Sequence, residues 1–417
     1  MIIVFMGGPG SGKSTHINKL LKSKILKNYE VVFKPEDKFF LLDIYKKLFG
    51  ANTTSQFVES KKHGVGKNFK MNFLRHLIAI FYPLAILAEY TLDYIHYEIL
   101  SKNKILLKER YIYDYVVTLN CNLDINLKAI NQIFLAFPKP FINVFLDVDA
   151  RTSRNRNTKK KAEGWENKDK LFHQKVVKVY RKIAKHKKAT KFNATRKVNN
   201  THNQIVALVE NKLILKKART ITLSGMDGSG KSSLAKALEG FAKSLGINVK
   251  VIHFYHDNML FKLFKKTGII KPQIVNENYF SQSRKHSTKT SDEGRPFIWA
   301  CAHFLDSLVQ YLASRAMYPK SLLIYDRFLF DYFVSFENLK VPGRRVFNLI
   351  TPHPENRYLL ETSYQKAHRR KPENNLQFFK FAASEYKKVA KEHNLKSIES
   401  GNKSIEQIKT EIIKNLQ

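Results

Sequence analysis

Residues 219–238 read RTITLSGMDGSGKSSLAKAL, and within them Gly225-Met226-Asp227-Gly228-Ser229-Gly230-Lys231-Ser232 fits G-x-x-x-x-G-K-[ST]. The apolar run Ile221–Ser224 enters this turn as a strand. A helix leaves it, with Leu234, Leu238, Phe241, Ala242 and Leu245 recurring at a 3.6-residue period up to Gly246. Glycines let successive backbone N–H groups turn inward around a phosphate, and the helix presents its positive dipole end to the same point. In such a loop the lysine reaches the β- and γ-phosphates and the hydroxyl after it takes Mg²⁺. Gly225, Asp227, Gly228, Ser229, Gly230, Lys231, Ser232 and Ser233 are therefore candidate nucleotide-binding residues, and ATP with Mg²⁺ is the expected pair of cofactors.

The same unit is written earlier in the chain. Residues 2–21 read IIVFMGGPGSGKSTHINKLL, which adds Gly7, Gly8, Gly10, Ser11, Gly12, Lys13, Ser14 and Thr15 to the candidates. Gly7 and Gly225 lie 218 residues apart. LLKERYIYDY and LIYDRFLFDY place Arg110 and Arg327 217 apart, and NVFLDVDARTSRNR and RYLLETSYQKAHRR place Asp147 and Glu361 214 apart. Three matches in one order at nearly constant offset identify an internal repeat. Each half ends alike, Tyr180–Lys185 paralleling Tyr386–Lys391, with final helices expected over Gln204–Leu213 and Ile405–Leu416. The expected domains are 1–215 and 218–417, joined by a very short linker near Lys216-Lys217, with the halves packed as a pseudo-dimer.

Each half alternates strands with helices: Val31–Phe33, a helix up to about Leu100, Val249–Phe254, a helix from Pro296 to Ala316, and Leu322–Tyr325. That alternation predicts an α/β fold of tandem P-loop domains, each a doubly wound parallel sheet flanked by helices. The polar stretches Ala51–Lys70 and Lys265–Arg295, the latter with Lys271, Arg284, Lys285 and Lys289, are long enough for substrate loops or lids.

The 417 residues suit two or three domains, and 43% hydrophobic with 12% aromatic content excludes wholesale disorder. Two cysteines, Cys121 and Cys301, exclude a disulfide scaffold and match no zinc spacing. No basic leader precedes the first glycine loop. The longest apolar stretch, Leu77–Ala88, is too short to span a bilayer and contains Pro83. A cytoplasmic protein without a membrane span is expected. The net charge of +38 concentrates anions, nucleotides and nucleic acid among them, but a lysine-rich solvated surface explains it equally well.

A phosphate loop does not name a reaction; the strand ending in Asp326-Arg327-Phe328 narrows it. An acidic residue at the carboxyl end of a parallel strand lies where ligands bind, and can hold a metal-bound water. The arginine beside it neutralises a transferring phosphoryl group. Read alone, such a pair is as often a surface ion pair. Asp326, with Ser232, and Glu109, with Ser14, are the candidate metal ligands.

With Gly225–Ser233, Asp326-Arg327-Phe328 and the strand Tyr358-Leu359-Leu360-Glu361 followed by His368-Arg369-Arg370-Lys371, the second half resembles the thymidylate kinases, within the nucleoside monophosphate kinases. The resemblance implies that Asp227 sits beside the acceptor's sugar. It implies that Asp326 and Arg327 serve the metal and the acceptor phosphate, and that Arg369 and Arg370 close over the donor. Lys13, Arg110, Lys231, Asp326, Arg327 and Arg370 are thus the expected catalytic set. Where that family carries Arg-Glu-Pro-Gly, this half has His253-Phe254-Tyr255-His256-Asp257. The first half departs further. Pro9 replaces the loop aspartate, Glu109 replaces the aspartate before Arg110, Lys34-Pro35-Glu36 keeps only part of the acceptor segment, and Arg151, Arg154 and Arg156 form a candidate lid.

Other residues carry two readings each. Asp114 and Asp331 either orient the arginine or acceptor, or cap helices. Glu89 and Asp306 either face the substrate or lie in solvent at a helix rim. The lysines from Lys159 to Lys188 are better read as a solvated face than a polyanion site. His253 and His256 lack the company of a metal site, and Phe378, Phe379 and Phe381 read as core.

The expected activity is ATP-dependent transfer of the γ-phosphoryl group to a nucleotide or related small phosphate-bearing or hydroxyl acceptor. A kinase of a sugar, glycan or nucleic-acid end, and an ATP-binding switch or scaffold, remain the alternatives.

Overall fold

The computed structural model describes residues 1–34, 83–101, 103–117, 120–121, 128–159, 170–254, 295–338, 344–372 and 374–416. Apart from Arg295, the two polar stretches, the segments Pro35-Glu36 and Tyr255-His256-Asp257, Leu77–Tyr82 and Lys160, Lys161 and Lys168 lie outside them. The side chains of Lys159 and Cys301 are likewise outside.

The chain divides into two compact units, Met1–Glu210 and Asn211–Gln417. The first holds β1 (Ile2–Met6), α1 (Lys13–Leu21), β2 (Glu30–Lys34), α2 (83–94) running into a π-helical turn at Ile95–Leu100, β3 (Lys104–Lys108), α3 (Ile112–Val117) and α4 (Lys128–Ala136). It continues with β4 (Ile142–Asp147), α5 (Ala150–Lys159), α6 (Lys170–His186) and β5 (Thr190–Asn193). Helix α7 spans Val198–Ala218, so Lys216 and Lys217, read as a linker, form its last turn. The second unit holds β6 (Thr220–Ser224), α8 (Lys231–Ser244), β7 (Val249–His253), α9 (Arg295–Met317), β8 (Leu322–Asp326), α10 (Leu329–Asn338) and α11 (Arg344–Ile350). It ends with β9 (Asn356–Glu361), α12 (Tyr364–Arg370), α13 (Leu376–Glu392), β10 (Lys396–Glu399) and α14 (Ile405–Asn415).

Each unit is built on one five-stranded sheet, ordered β2-β3-β1-β4-β5 in the first and β7-β8-β6-β9-β10 in the second. All neighbouring strands in both sheets run parallel. Parallel strands need crossovers that cover both faces, which is why β1, β6 and β8 are buried along their whole length. In the second unit Ile221, Leu223, Leu238, Ile408 and Ile412 pack one face under α8 and α14. Phe304, Tyr325, Phe328, Phe330 and Tyr386 pack the other under α9, α10 and α13. Ile2, Val4, Leu106, Tyr111 and Tyr180 form the corresponding core of the first unit. In each sheet the first strand lies at the centre, where strand order reverses, so its carboxyl end opens on a crevice. Among the described residues no helix is long and apolar enough to cross a membrane.

Candidate functional site

In the second unit the turn after β6 is shaped by backbone that side-chained residues rarely adopt: φ is +77° at Gly228 and +95° at Gly230, the N-cap of α8. A Cβ on Gly228 would come within 2.5 Å of the Ala367 carbonyl oxygen, so the loop and α12 fit together only through glycine. The first unit repeats this at Gly10, φ +68°, where a Cβ would meet the Ser153 oxygen at 2.9 Å.

Lys231 is buried, and its Nζ donates to the Gly225 and Met226 carbonyls at 2.6 and 2.8 Å. Burial, aided by the nearby Arg327 charge, pulls its pKa down to about 8. Lys13 does the same in the first unit, reaching Gly7 and Gly8 oxygens at 3.0 and 3.3 Å. Held back by backbone carbonyls, each ammonium lies curled over its own loop, which is the place a phosphate would take. Ser14 and Thr15, like Ser232 and Ser233, are exposed at the start of the following helix, whereas Ser11 and Ser229 are buried inside the turns.

Around the second loop a cavity of about 300 Å³ is lined by Asp227, Lys231, Ser232, His253, Asp326, Arg327 and Lys371, among others. Asp326 ends β8 rather than following it, beside His253 in the strand register. Its Oδ2 lies 3.0 Å from His253 Nδ1. Arg327 takes the left-handed conformation at φ +70° and its guanidinium donates to Asp227 Oδ1. Burial acts to raise the Asp227 pKa, but Arg327, Lys231 and Lys371 outweigh it and hold the carboxyl below its ordinary value. Opposite charges thus alternate around a half-open cavity.

In the first unit the Ser14 hydroxyl donates to Glu109 Oε1 at 2.6 Å, bringing the two expected metal ligands together. In the second, Ser232 and Asp326 line one cavity. Both pairs are hard oxygen donors, and a Mg²⁺ that arrives with phosphates and waters needs only one or two protein ligands. The residues fit that ion. Among the described residues no three His, Cys, Asp or Glu side chains gather as a metal cage.

Asp331 and Asp114 do cap helices. Asp331 accepts from the Phe328 amide at 2.9 Å, and also from the Ser224 hydroxyl and Tyr386 phenol; Asp114 accepts from the Tyr111 amide and Tyr180 phenol. Glu89 and Asp306 are buried, not at a solvent rim. Glu89 joins an unforeseen ion network in which Asp93 accepts from Lys34 and Lys108, both at 2.6 Å. The strand pattern KILLK had hidden Lys108, a buried charge at a strand end. Lys187 also leaves the solvated lysine face: it is buried, donates to the Leu135 and Phe137 carbonyls, and lies over the Tyr113 ring. Phe379 is core, with Phe378 packed against it.

The lid residues separate. Arg370 is exposed and donates to the Gly228 and Gly401 carbonyls at 3.3 and 3.2 Å, while it is Lys371, one residue on, that lines the cavity. Arg156 donates to Gly10 O at 3.2 Å, the matching contact in the first unit.

A family model described as thymidylate kinase matches residues 57–205, less than half of the chain and within the first unit, although the motif resemblance is carried by the second. Solved structures of deoxyadenosine kinase from M. mycoides also match. One, with dCMP and dCDP bound, is 16% identical and the other, with dATP bound, 17%. Each match covers 50% of this chain and nearly all of the other, 98% and 99%, with a TM-score of 0.32 in both cases. No curated relative matches the chain.

Proposed function

We propose that the chain is an ATP-dependent phosphotransferase of the nucleotide-kinase type, with the second unit as its competent centre and the first a divergent copy. The observation that carries this reading is the loop cavity of the second unit. Lys231, Arg327 and Lys371 meet Asp227 and Asp326 there, at the carboxyl ends of parallel strands. Phosphoryl transfer asks for positioning and charge neutralisation more than for covalent chemistry, and this is a set of positioned charges. The thymidylate kinase model over residues 57–205 supports the class.

In this reading the glycine loop binds the donor phosphates and Lys231 exchanges its carbonyl partners for phosphate oxygens. Arg327 leaves Asp227 for the acceptor, and the freed Asp227 carboxylate orients an acceptor hydroxyl. Ser232 and Asp326 would hold Mg²⁺, which supplies charge neutralisation on the phosphates when bound. Ser14 and Glu109 would do so in the first unit, where Pro9 leaves no carboxylate at the position of Asp227.

The test incubates the protein and its Lys13→Ala and Lys231→Ala variants with Mg-ATP and a panel of nucleoside monophosphates and nucleosides, with products read by mass spectrometry. A phosphorylated acceptor lost only in Lys231→Ala is expected. Its absence for every acceptor, with ATP binding intact, sinks the nucleotide-kinase reading and turns the search to sugars, glycans and nucleic-acid ends.

A further inference from the structure

A second cavity of the second unit, about 280 Å³, shares no lining residue with the one around the phosphate loop. It lies between the carboxyl ends of β9 and β10 and the helix α13, and its walls include Glu361, Glu399, Thr362, Met226 and Lys387. Side chains alternate along a strand, so Glu361 shares the face of Leu359, which packs under α13. Glu399 is its register partner on β10 and points to that face too, away from the side of Ile398. Two carboxylates thus stand beside one another on neighbouring strands, where like charges repel. Among the described residues neither is in an ion pair, although Glu399 accepts from the Asn402 amide at 3.0 Å.

The first unit fills the same place from within. Asp147 stands where Glu361 does, and its carboxylate accepts from Arg181 Nε at 2.9 Å and from Lys191 Nζ at 2.8 Å. Arg181 follows Tyr180 as Lys387 follows Tyr386. The registers of Asp147 with Asn193 and of Glu361 with Glu399 make Ser397 the counterpart of Lys191, and Glu399 that of Asn193. At this point the second unit therefore has one ammonium fewer and one carboxylate more. Lys387, its remaining cation, lines the cavity without pairing with either acid. Thr362 Oγ1 on the same wall is sealed from solvent and has no hydrogen-bond partner among the described residues. Buried hydroxyls are ordinarily bonded, and a donor in the cavity would meet this one.

We propose that this cavity binds a small alkylammonium cation. An ammonium carries three N–H donors, and Glu361, Glu399 and Thr362 Oγ1 supply three acceptors. Its alkyl stem lies along Met226, Leu359 and Ala383. The cation takes the place that the Lys191 ammonium holds in the first unit and relieves the repulsion between the two acids. A net charge of +38 repels dissolved cations in general, so one that is retained marks a built site. The proposal goes beyond the phosphotransferase reading and uses no residue of the loop cavity.

The test follows binding of butylammonium to the full-length, nucleotide-free protein by ligand-observed NMR, with 1-butanol as the uncharged counterpart. Butylammonium is expected to bind and butanol not to. Glu361→Gln is expected to weaken butylammonium about tenfold or more, since a charge-assisted hydrogen bond is lost. Ser397→Lys, at an exposed position, supplies the internal ammonium of the first unit. It should abolish binding and leave the thermal midpoint level or higher; a level midpoint in either variant certifies its fold. Butanol binding as well as butylammonium, or no binding of either, overturns the proposal. So does butylammonium binding undiminished in Ser397→Lys. Displacement by MgCl₂ at a lower concentration than butylammonium itself needs overturns it in favour of a metal site. Each of these outcomes leaves the phosphotransferase reading standing, because its cavity is lined by other residues.

Discussion

The Ser224 hydroxyl donates to Asp331 Oδ2 at 2.7 Å, tying the last residue of the central strand to the first turn of α10 across 107 residues of chain. The same carboxylate accepts from the Phe328 amide and the Tyr386 phenol, so one buried group joins the phosphate loop, the arginine turn and α13. Removing a buried, multiply bonded carboxylate strands four donors at once, the Gly225 amide included. Asp331→Ala is expected to cost about 3 kcal/mol or more in urea unfolding. Asp331→Asn, which keeps the acceptor oxygen, should cost less. Equal stability of wild type and Asp331→Ala would show that the junction is not held by this residue.

Arg327 gives a sharper test, because its backbone is strained. At φ +70° a side-chained residue costs about 1–2 kcal/mol that glycine does not. Arg327→Gly and Arg327→Ala both lose the Asp227 partner, so their difference isolates the backbone. The glycine variant is expected to be the more stable by about 1 kcal/mol, although both lose the proposed phosphoryl transfer. An alanine variant as stable as the glycine one would mean that the turn relaxes.

Much of this was legible from residues alone. The glycine loops and the Asp326-Arg327 turn rest on local chemistry, and local chemistry is written in consecutive residues. The parallel order of each sheet followed from alternating strands and helices. What escaped were partners distant in sequence. Nothing near Arg370 says that it turns outward to Gly401 while Lys371 turns in, nor does KILLK announce that Lys108 finds Asp93 on a helix. The linker read at Lys216-Lys217 failed for a related reason: two exposed lysines at a helix end look like a boundary, but nothing there breaks the helix before Ala218.

The Asp93–Lys108 pair offers a prediction of its own. Both side chains are almost wholly buried, and burial lowers the Lys108 pKa against the raising effect of Asp93. The second unit has apolar Ile252 and aromatic Tyr325 where the sheet register of the first has Lys34 and Lys108. Breaking a buried pair leaves an uncompensated charge, whereas replacing both partners with apolar groups often does not destabilise. Asp93→Ala is expected to cost about 3–5 kcal/mol in chemical denaturation, and Asp93→Leu with Lys108→Met close to nothing. A double variant as unstable as the single one would show that the network does more than balance itself.

His393 sets an acid limit to stability. It is buried between the Phe330 and Phe333 rings, each 4.8 Å away, and neither ring nitrogen has a hydrogen-bond partner. Burial, opposed by the Glu392 carboxylate and helped by lesser repulsion from His353, Arg344 and Arg357, brings its pKa down from 6.5 to about 4. Below pH 6.5 the unfolded chain therefore takes up a proton that the folded chain refuses. Stability falls as the pH drops from 6.5 towards 4 and levels off below that, for a total of at most about 3 kcal/mol from this residue. His393→Phe keeps the ring stack and removes the proton. Its unfolding free energy should consequently decline less than that of the wild type between pH 7 and pH 4.5. The other histidines brought down to about 4, His16 and His303, stay in both proteins and cancel from the comparison. Parallel pH profiles for the two would place the acid sensitivity elsewhere and remove His393 from the account.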